Sequence, residues 1–323
     1  MKVRRPLGPI ITLLISSHFA GCDQAVNLDA PFEKKLVVYA VLSNRTETQF
    51  ARVYTNYSGV QGTMDSTRYG AMDVTMTVGQ GSRTYVFTDT LVAGDSVNGQ
   101  AVWTRARVAH QLSIEEGKPY ELVVSSPSLG MVRSKVVSLF RGEIYVQNPE
   151  SLDVPTAVAR IPVVVTLGSN AAAYILRFYL EYEYLLDVTW YSEKMEVPWT
   201  IVGGESEAPK VTYPSLLARG QRAPISPRGS DGVIFPGSAY RYTISQIRAQ
   251  FPGGNARLKR AIFSLTQIDY PMYAYYSTVN EFPGAGTLRL DDPDYTNIQG
   301  GFGVFATQRE DVMTYVLSPG LGP

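Results

Sequence analysis

A strict alternation of apolar and polar residues between positions 173 and 184 sets the strongest limit on how this chain folds. One set of alternate positions carries Tyr174, Leu176, Phe178, Leu180, Tyr182 and Tyr184, and the other includes Arg177, Glu181 and Glu183. Successive side chains of a β-strand point to opposite faces, so the pattern predicts a long strand with one buried and one wet face. The sequence therefore favours a mainly β fold.

The first part of the chain repeats this signal in shorter segments. Apolar residues recur with a period of two, or as β-branched runs, in six segments: residues 36–42, 52–55, 74–78, 85–87, 120–124 and 132–139. Turn-forming residues separate them, as in the Gly117-Lys118-Pro119 sequence. Short strands at such spacing predict an immunoglobulin-like or related β-sandwich over residues 36–140.

A second β-rich domain is predicted over residues 141–323. A polar segment with Gly142, Pro149 and Pro155 is the predicted linker between the two domains. One or two short helices are expected in this domain. The first covers residues 245–251, ahead of a Pro-Gly-Gly sequence, and the second covers residues 271–280, where Pro271 suits a first helical turn.

The first residues have the composition of a bacterial lipoprotein signal peptide. Residues 1–21 contain three early cations and an apolar stretch at 7–15, which at about 1.5 Å per residue covers less than half of a ~30 Å hydrocarbon core. They end in Phe19-Ala20-Gly21-Cys22, which is similar to a lipobox apart from the phenylalanine, and Cys22 is the only cysteine of the chain. We expect cleavage before Cys22, lipid on its thiol and a tether over residues 22–35.

Charge and histidine content exclude several classes of function. Removal of the three signal cations leaves 26 basic against 29 acidic residues, a charge of −3, so no nucleic-acid partner is expected. His18 leaves with the signal, and His110 is then the only imidazole, which excludes a multi-histidine metal site. We expect no cofactor, no resident metal and no enzymatic activity, with His110 a polar residue near a strand end.

Three groups of residues remain as candidates for chemistry. Glu181 and Glu183 lie two apart on a predicted strand, as a glycosidase pair could, although a solvated strand face is the simpler explanation of them. The aromatic residues Trp190, Tyr191 and Trp199 could stack on sugars or belong to the core. The acidic sequence at residues 291–294 could bind Ca²⁺ or form a solvated turn.

A late motif carries a family resemblance. The sequence Asn297-Ile298-Gln299-Gly300-Gly301-Phe302-Gly303-Val304-Phe305 is its most specific part, supported by the lipobox, by residues 36–40, by residues 117–122 and by residues 273–276. Together these resemble an uncharacterised family of Bacteroidota lipoproteins, called domain of unknown function four-two-four-nine. The resemblance implies an outer-membrane lipoprotein, often encoded beside a TonB-dependent receptor, and implies no known activity.

These observations lead to one functional hypothesis and two alternatives. We expect a lipid-anchored binding or accessory module of the outer membrane, associated with a TonB-dependent transporter. The alternatives are a carboxylate-dependent glycan hydrolase and a purely structural envelope protein. Because Asp23-Gln24-Ala25 contains no acidic run, the sequence leaves open which side of the membrane the protein faces.

The glycines of the late motif are predicted to serve structure. Gly300, Gly301 and Gly303, between Asn297 and Phe305, are expected to allow positive φ or close backbone approach. The chain would there enter its last-but-one strand, at residues 303–307.

Overall fold

The structure is a computed structural model that describes residues 33–56, 73–97, 100–203, 209–227, 229–280 and 295–318. Within the chain, Lys34–Pro323 forms one compact unit. The signal peptide, Cys22, most of the tether and the acidic sequence at 291–294 lie outside the described residues.

The described chain consists mainly of strands, which confirms the predicted fold class. The first part contains β1 (Leu36–Ser43), β2 (Gln49–Thr55), β3 (Thr75–Gln80), β4 (Arg83–Val97), β5 (Gln100–Ala109), β6 (Pro119–Ser126) and β7 (Gly130–Val137). Next come β8 (Glu143–Val146), a 3₁₀ helix (Pro149–Asp153), β9 (Arg160–Thr166), β10 (Ala173–Leu186), β11 (Thr189–Glu196), β12 (Thr200–Val202), β13 (Lys210–Thr212) and β14 (Leu217–Ala218). The last elements are β15 (Gly232–Pro236), α1 (Gly237–Gln250), β16 (Ala256–Ile268), α2 (Tyr270–Asn280) and β17 (Phe302–Val316).

One continuous sheet of twelve strands connects both parts of the chain. Its order is β11-β10-β16-β17-β1-β2-β5-β4-β3-β6-β7, with β14 attached to β10. The two parts of the chain are joined at β17, which pairs in parallel with β1 and antiparallel with β16. Two smaller sheets, β15-β9-β8 and β12-β13, complete the described strands.

The first part of the sheet folds over on itself around a hydrophobic core. The strand β4 makes the change of layer, because residues up to Phe87 pair with β3 and residues from Thr88 pair with β5. Between the layers lie buried residues of β1, β2, β3, β6, β7 and β17, including Val38, Met76, Leu122 and Phe305. The layers therefore have the two-sided packing of a β-sandwich.

A second core lies between β10 and β16 on one side and the β15-β9-β8 sheet with α1 on the other. The alternate residues of β10 predicted to be buried are buried from Tyr174 to Tyr182, while Tyr184 is half-buried. Phe178 occupies the centre of this core, with its ring centroid 4.4 Å from that of Phe263 and 5.5 Å from that of Phe235. Burial of one face of β10 thus follows directly from its alternating sequence.

The predicted domain boundary at residue 140 stays a prediction, although the buried residues of the two cores change over between Val136 and Val146. The two cores do not separate into independent bodies, because β17 contributes Phe305 to the first core and Met313 and Tyr315 to the edge of the second. Residues on both sides of the boundary belong to the same compact unit.

The structure differs from the sequence prediction in several details, of which three concern the elements around the sheet. The strand β5 was not predicted, since Arg105 and Arg107 interrupt its apolar pattern. Residues 303–307 are not a last-but-one strand but part of the single strand β17. The helix expected at residues 245–251 spans Gly237–Gln250. Its start was missed because Pro236 precedes it, and no capping side chain marks that position in the sequence.

Helix α2, which the sequence predicted, is fixed to the sheet by a buried carboxylate. Asp269 accepts hydrogen bonds from the Met272 amide at 3.1 Å, the Thr307 amide at 2.7 Å and the Thr307 hydroxyl at 3.0 Å. It therefore caps the helix and joins it to β17. Met272, Val304 and Ala306 pack together beneath the helix.

We predict a pH dependence of stability from this carboxylate. Burial raises the pKa of Asp269 from 3.8 to about 6, against the opposing hydrogen bonds from Met272 and Thr307. Between those values the folded state retains a proton that the unfolded state has lost. The stability that the protonated Asp269 contributes is thus fully present below pH 3.8 and is lost as the pH rises to about 6. The free energy of unfolding falls by roughly 3 kcal/mol over this range.

The measurement is urea unfolding at several pH values for the wild type and for Asp269→Asn, which keeps an acceptor oxygen and cannot titrate. The free energy of unfolding of the wild type should fall relative to that of Asp269→Asn as the pH rises from 4 to about 6. Parallel pH profiles for the two proteins would contradict the prediction.

Candidate functional site

An open groove on the outer face of the first sheet layer is the candidate site. It encloses about 790 Å³ and is formed by β1, the β1–β2 turn, β2 and parts of β4, β5 and β17. Its principal side chains are Tyr39, Val41, Phe50, Arg52, Val92 and Gln308. Aromatic and aliphatic side chains thus stand beside polar groups in the groove, and such a mixture suits a binding site.

The groove follows from the alternation in β1 and β2. Val38 and Val53 point into the first core and are buried, so their neighbours Tyr39 and Arg52 point to the outer face. Phe50 lies on the same outer face and is 49% exposed. A large aromatic side chain this exposed is available for contact with a ligand.

The sheet forks at the groove. Strands β2 and β5 pair with each other only through Gln49–Ala51 and Arg107–Ala109. Beyond these residues β2 continues with β1 alone and β5 with β4 alone. Among the described residues, no strand pairs with the two edges that face each other across this fork, which we call the β2–β5 fork.

The turn at one end of the groove is held by two amide side chains. Gln49 is buried, donates to the Ser43 carbonyl at 2.9 Å and accepts from the Ser43 amide at 2.9 Å. Asn44 forms a matching pair with β17, donating to the Glu310 carbonyl at 2.9 Å and accepting from the Glu310 amide at 2.8 Å. These bonds satisfy the buried polar groups and fix the turn relative to two strands.

The two arginines of the groove differ in their partners. Arg45 forms an ion pair with Glu310 at 2.7 Å. Arg52 is exposed and has no carboxylate within 4.0 Å in the part of the chain that the structure describes. A guanidinium in this position presents several donors to an anionic group of a ligand.

Three tyrosines continue the groove towards α2. The Tyr39 ring stacks on Tyr54 with centroids 5.5 Å apart and meets the Tyr275 ring edge-on at 5.3 Å. Burial raises the pKa of the Tyr54 and Tyr275 hydroxyls, while a hydrogen bond with Tyr39 opposes the rise for Tyr54 and adds to it for Tyr275. Tyr54 and Tyr275 therefore stay neutral and keep hydroxyl groups that can donate.

A scan of the chain against protein-family models finds no match. A search of the curated proteins finds no match either. The resemblance to the Bacteroidota lipoprotein family stays a prediction that rests on the residues quoted for it.

The carboxylates considered for glycan hydrolysis are held by cations. Glu181 pairs with Arg260 at 2.7 Å, and Glu183 pairs with Arg257 at 2.6 Å and Lys259 at 3.5 Å. The hydrogen bond from Arg257 holds the pKa of Glu183 below its usual value. A general acid of a glycosidase needs the opposite shift, so Glu183 is unsuited to that role.

The aromatic residues considered for sugar stacking do not assemble into one surface. Trp190 and Tyr191 are neighbours on β11 and so point to opposite faces of the sheet. The Trp190 ring lies 4.3 Å from the Arg257 guanidinium, and Tyr191 stacks on Tyr184. Trp199 is 4% exposed and belongs to the second core.

Hydrogen bonds and close backbone contacts hold the late glycine motif in place. Asn297 donates to the Phe305 carbonyl at 2.7 Å and accepts from the Phe305 amide at 2.9 Å. Gly300 and Gly303 have φ of +81° and +101°, and a Cβ on Gly301 would lie 2.5 Å from the Leu36 carbonyl oxygen. The motif thus closes a turn tightly against β1.

The remaining observations concern His110, metal binding and the helices. His110 is exposed, with its Nδ1 3.3 Å from the Thr48 hydroxyl. In the described parts of the chain, no group of three or more His, Cys, Asp and Glu residues is placed to hold a metal ion. Neither described helix has the length and apolar composition needed to cross a membrane.

The groove residues were not singled out from the sequence. The only signal for them is the alternation of Phe50, Arg52 and Tyr54 with the buried Ala51 and Val53. This pattern indicates an outer strand face, but such faces are often merely solvated. The fork that makes the face distinctive depends on pairing with β5, far along the chain.

Proposed function

We propose that this protein is a lipid-anchored binding module of the bacterial outer membrane, and that it binds a partner protein in the groove between β1, β2 and β5. The groove is the observation that carries the proposal. It combines exposed aromatic and aliphatic surface with an arginine that has no described carboxylate partner. Aromatic residues and arginine are the side chains most often found at the energetic centre of protein interfaces.

The anchor and the partner are proposed from the sequence. The signal peptide and the single cysteine support lipid attachment at Cys22. The resemblance of the late motif to a family encoded beside TonB-dependent receptors supports such a transporter as the partner. An accessory role in nutrient uptake would follow.

The hydrolase alternative has weaker support. The ion pairs of Glu181 and Glu183 explain both residues as parts of a charged sheet face. Turnover of any glycan by the purified protein, lost in Glu181→Gln, would favour that alternative over the binding module.

The proposal is tested by purifying the tagged lipoprotein from its own membrane and identifying co-purifying proteins. We expect an outer-membrane transporter with the wild type and a reduced amount of it with Phe50→Ser. The matched control is Tyr145→Ser, since Tyr145 is also exposed but lies on β8, outside the groove. Equal recovery with both variants would place the binding surface elsewhere.

We also predict that Cys22→Ala abolishes lipid attachment, because the chain contains no other thiol. The protein should then be recovered as an unlipidated, uncleaved precursor or in the soluble fraction, since the signal is too short to anchor it well. Metabolic labelling with radioactive palmitate measures this directly. Incorporation equal to that of the wild type would exclude Cys22 as the lipid site.

A further inference from the structure

We propose that the β2–β5 fork binds an extended acidic peptide segment, which adds to the sheet as a strand along β2 and places a carboxylate on Arg52. The inference rests on the proposed function and names the chemistry of the partner. The occupant is a stretch of polypeptide rather than a folded surface or a sugar.

Open backbone edges favour a peptide as the occupant. Among the residues that the structure describes, Arg52–Thr55 pairs only with β1, and residues 100–106 pair only with β4. A strand with one unpaired edge presents N–H and C=O groups at alternate residues, and a second strand satisfies them. A glycan does not have the repeat of donors and acceptors that matches such an edge.

Charge favours an acidic side chain on that peptide. Arg52 is exposed and is the first residue of β2 beyond its pairing with β5. No carboxylate of the described residues lies within salt-bridge distance of its guanidinium. Arg45, at the nearby turn, adds a second positive charge, which Glu310 partly neutralises. Charge-assisted hydrogen bonds from a guanidinium to a carboxylate are about twice as strong as neutral ones.

Side chains on the outer face would hold the rest of the segment. In a strand along β2, alternate side chains point to the same face as Phe50, Arg52 and Tyr54. Phe50 and Val92 both line the groove and offer apolar surface to such a strand. A peptide that alternates glutamate with a β-branched residue therefore fits both the arginine and the apolar surface.

The test uses fluorescence anisotropy with a labelled peptide of about eight residues in which glutamate and threonine alternate. The protein is the full chain from Cys22→Ala cells, purified without lipid. We expect saturable binding that weakens about tenfold in Arg52→Gln and less in Arg52→Lys. Arg222→Gln is the matched control, because Arg222 is exposed outside the groove.

Two further probes separate strand addition from simple charge attraction. The same peptide with methylated backbone amides should not bind, because it cannot donate to the β2 edge. Peptide binding should also slow hydrogen exchange of residues 52–55. An alternating lysine and threonine peptide should not bind.

Several results would overturn the inference. These are no saturation by the acidic peptide up to about 1 mM, equal binding of the methylated peptide, or equal binding by Arg52→Gln. Binding of an oligogalacturonate in place of the peptide would identify an acidic sugar as the ligand. If the wild type still captured a transporter from membranes while the peptide failed to bind, the proposed function would stand and the strand-addition inference would fall.

Discussion

Replacing Gly303 by alanine is expected to destabilise the protein by more than about 4 kcal/mol, which places it among the most damaging single substitutions. Gly303 has φ of +101°, a conformation that other residues rarely adopt. A Cβ there would also lie 2.1 Å from the carbonyl oxygen of Val38, its partner on β1. Only separation of β1 from β17 would relieve that overlap.

The matched control for this substitution is Gly130→Ala. Gly130 also has positive φ, at +78°, but no atom lies within 4 Å of the position of its Cβ. We expect this control to lose about 1 kcal/mol from backbone strain alone. Chemical unfolding of both variants gives the comparison, and equal losses would show that the contact with Val38 has no energetic weight.

Phe178→Ala is expected to lower the free energy of unfolding by about 3–5 kcal/mol. The Phe178 side chain is fully buried, and its ring packs against Phe263, Phe235 and Tyr240. Alanine would leave a cavity among aromatic rings that are attached to two strands and a helix and cannot all move inward.

The control is Tyr145→Ala, which also removes an aromatic ring. Tyr145 is 64% exposed, so its loss should change stability by no more than about 0.5 kcal/mol. Unfolding followed by tyrosine and tryptophan fluorescence supplies the measurement. A small effect of Phe178→Ala would mean that the second core repacks, contrary to the geometry of the ring cluster.

Local sequence patterns predicted those elements whose signal lies within a few residues. The alternation in β10 survives in the structure because one face packs on the second core. Helix α2 was predicted from Pro271, and the structure adds Asp269 as its cap. Strand β5 was missed because Arg107 is buried, with its guanidinium donating to the Val74 carbonyl at 3.0 Å, a compensation that only the folded chain provides.

The candidate site could not be predicted in the same way. Its defining property is the place where β2 and β5 stop pairing, and that place depends on how distant segments align. The two glutamates considered for chemistry are paired with cations from β16, a strand about seventy residues later. Sequence spacing alone does not reveal such partners.

The position of β17 has a consequence for the timing of folding. Strands β1 and β17 are neighbours in the sheet although most of the chain separates them, and such distant pairing slows folding. Until β17 is available, one edge of β1 has no partner, so a nascent first half cannot finish its layer. Under the proposed export by the signal peptide, this delay would keep the polypeptide open for translocation and would leave the β1 edge to be shielded until β17 arrives.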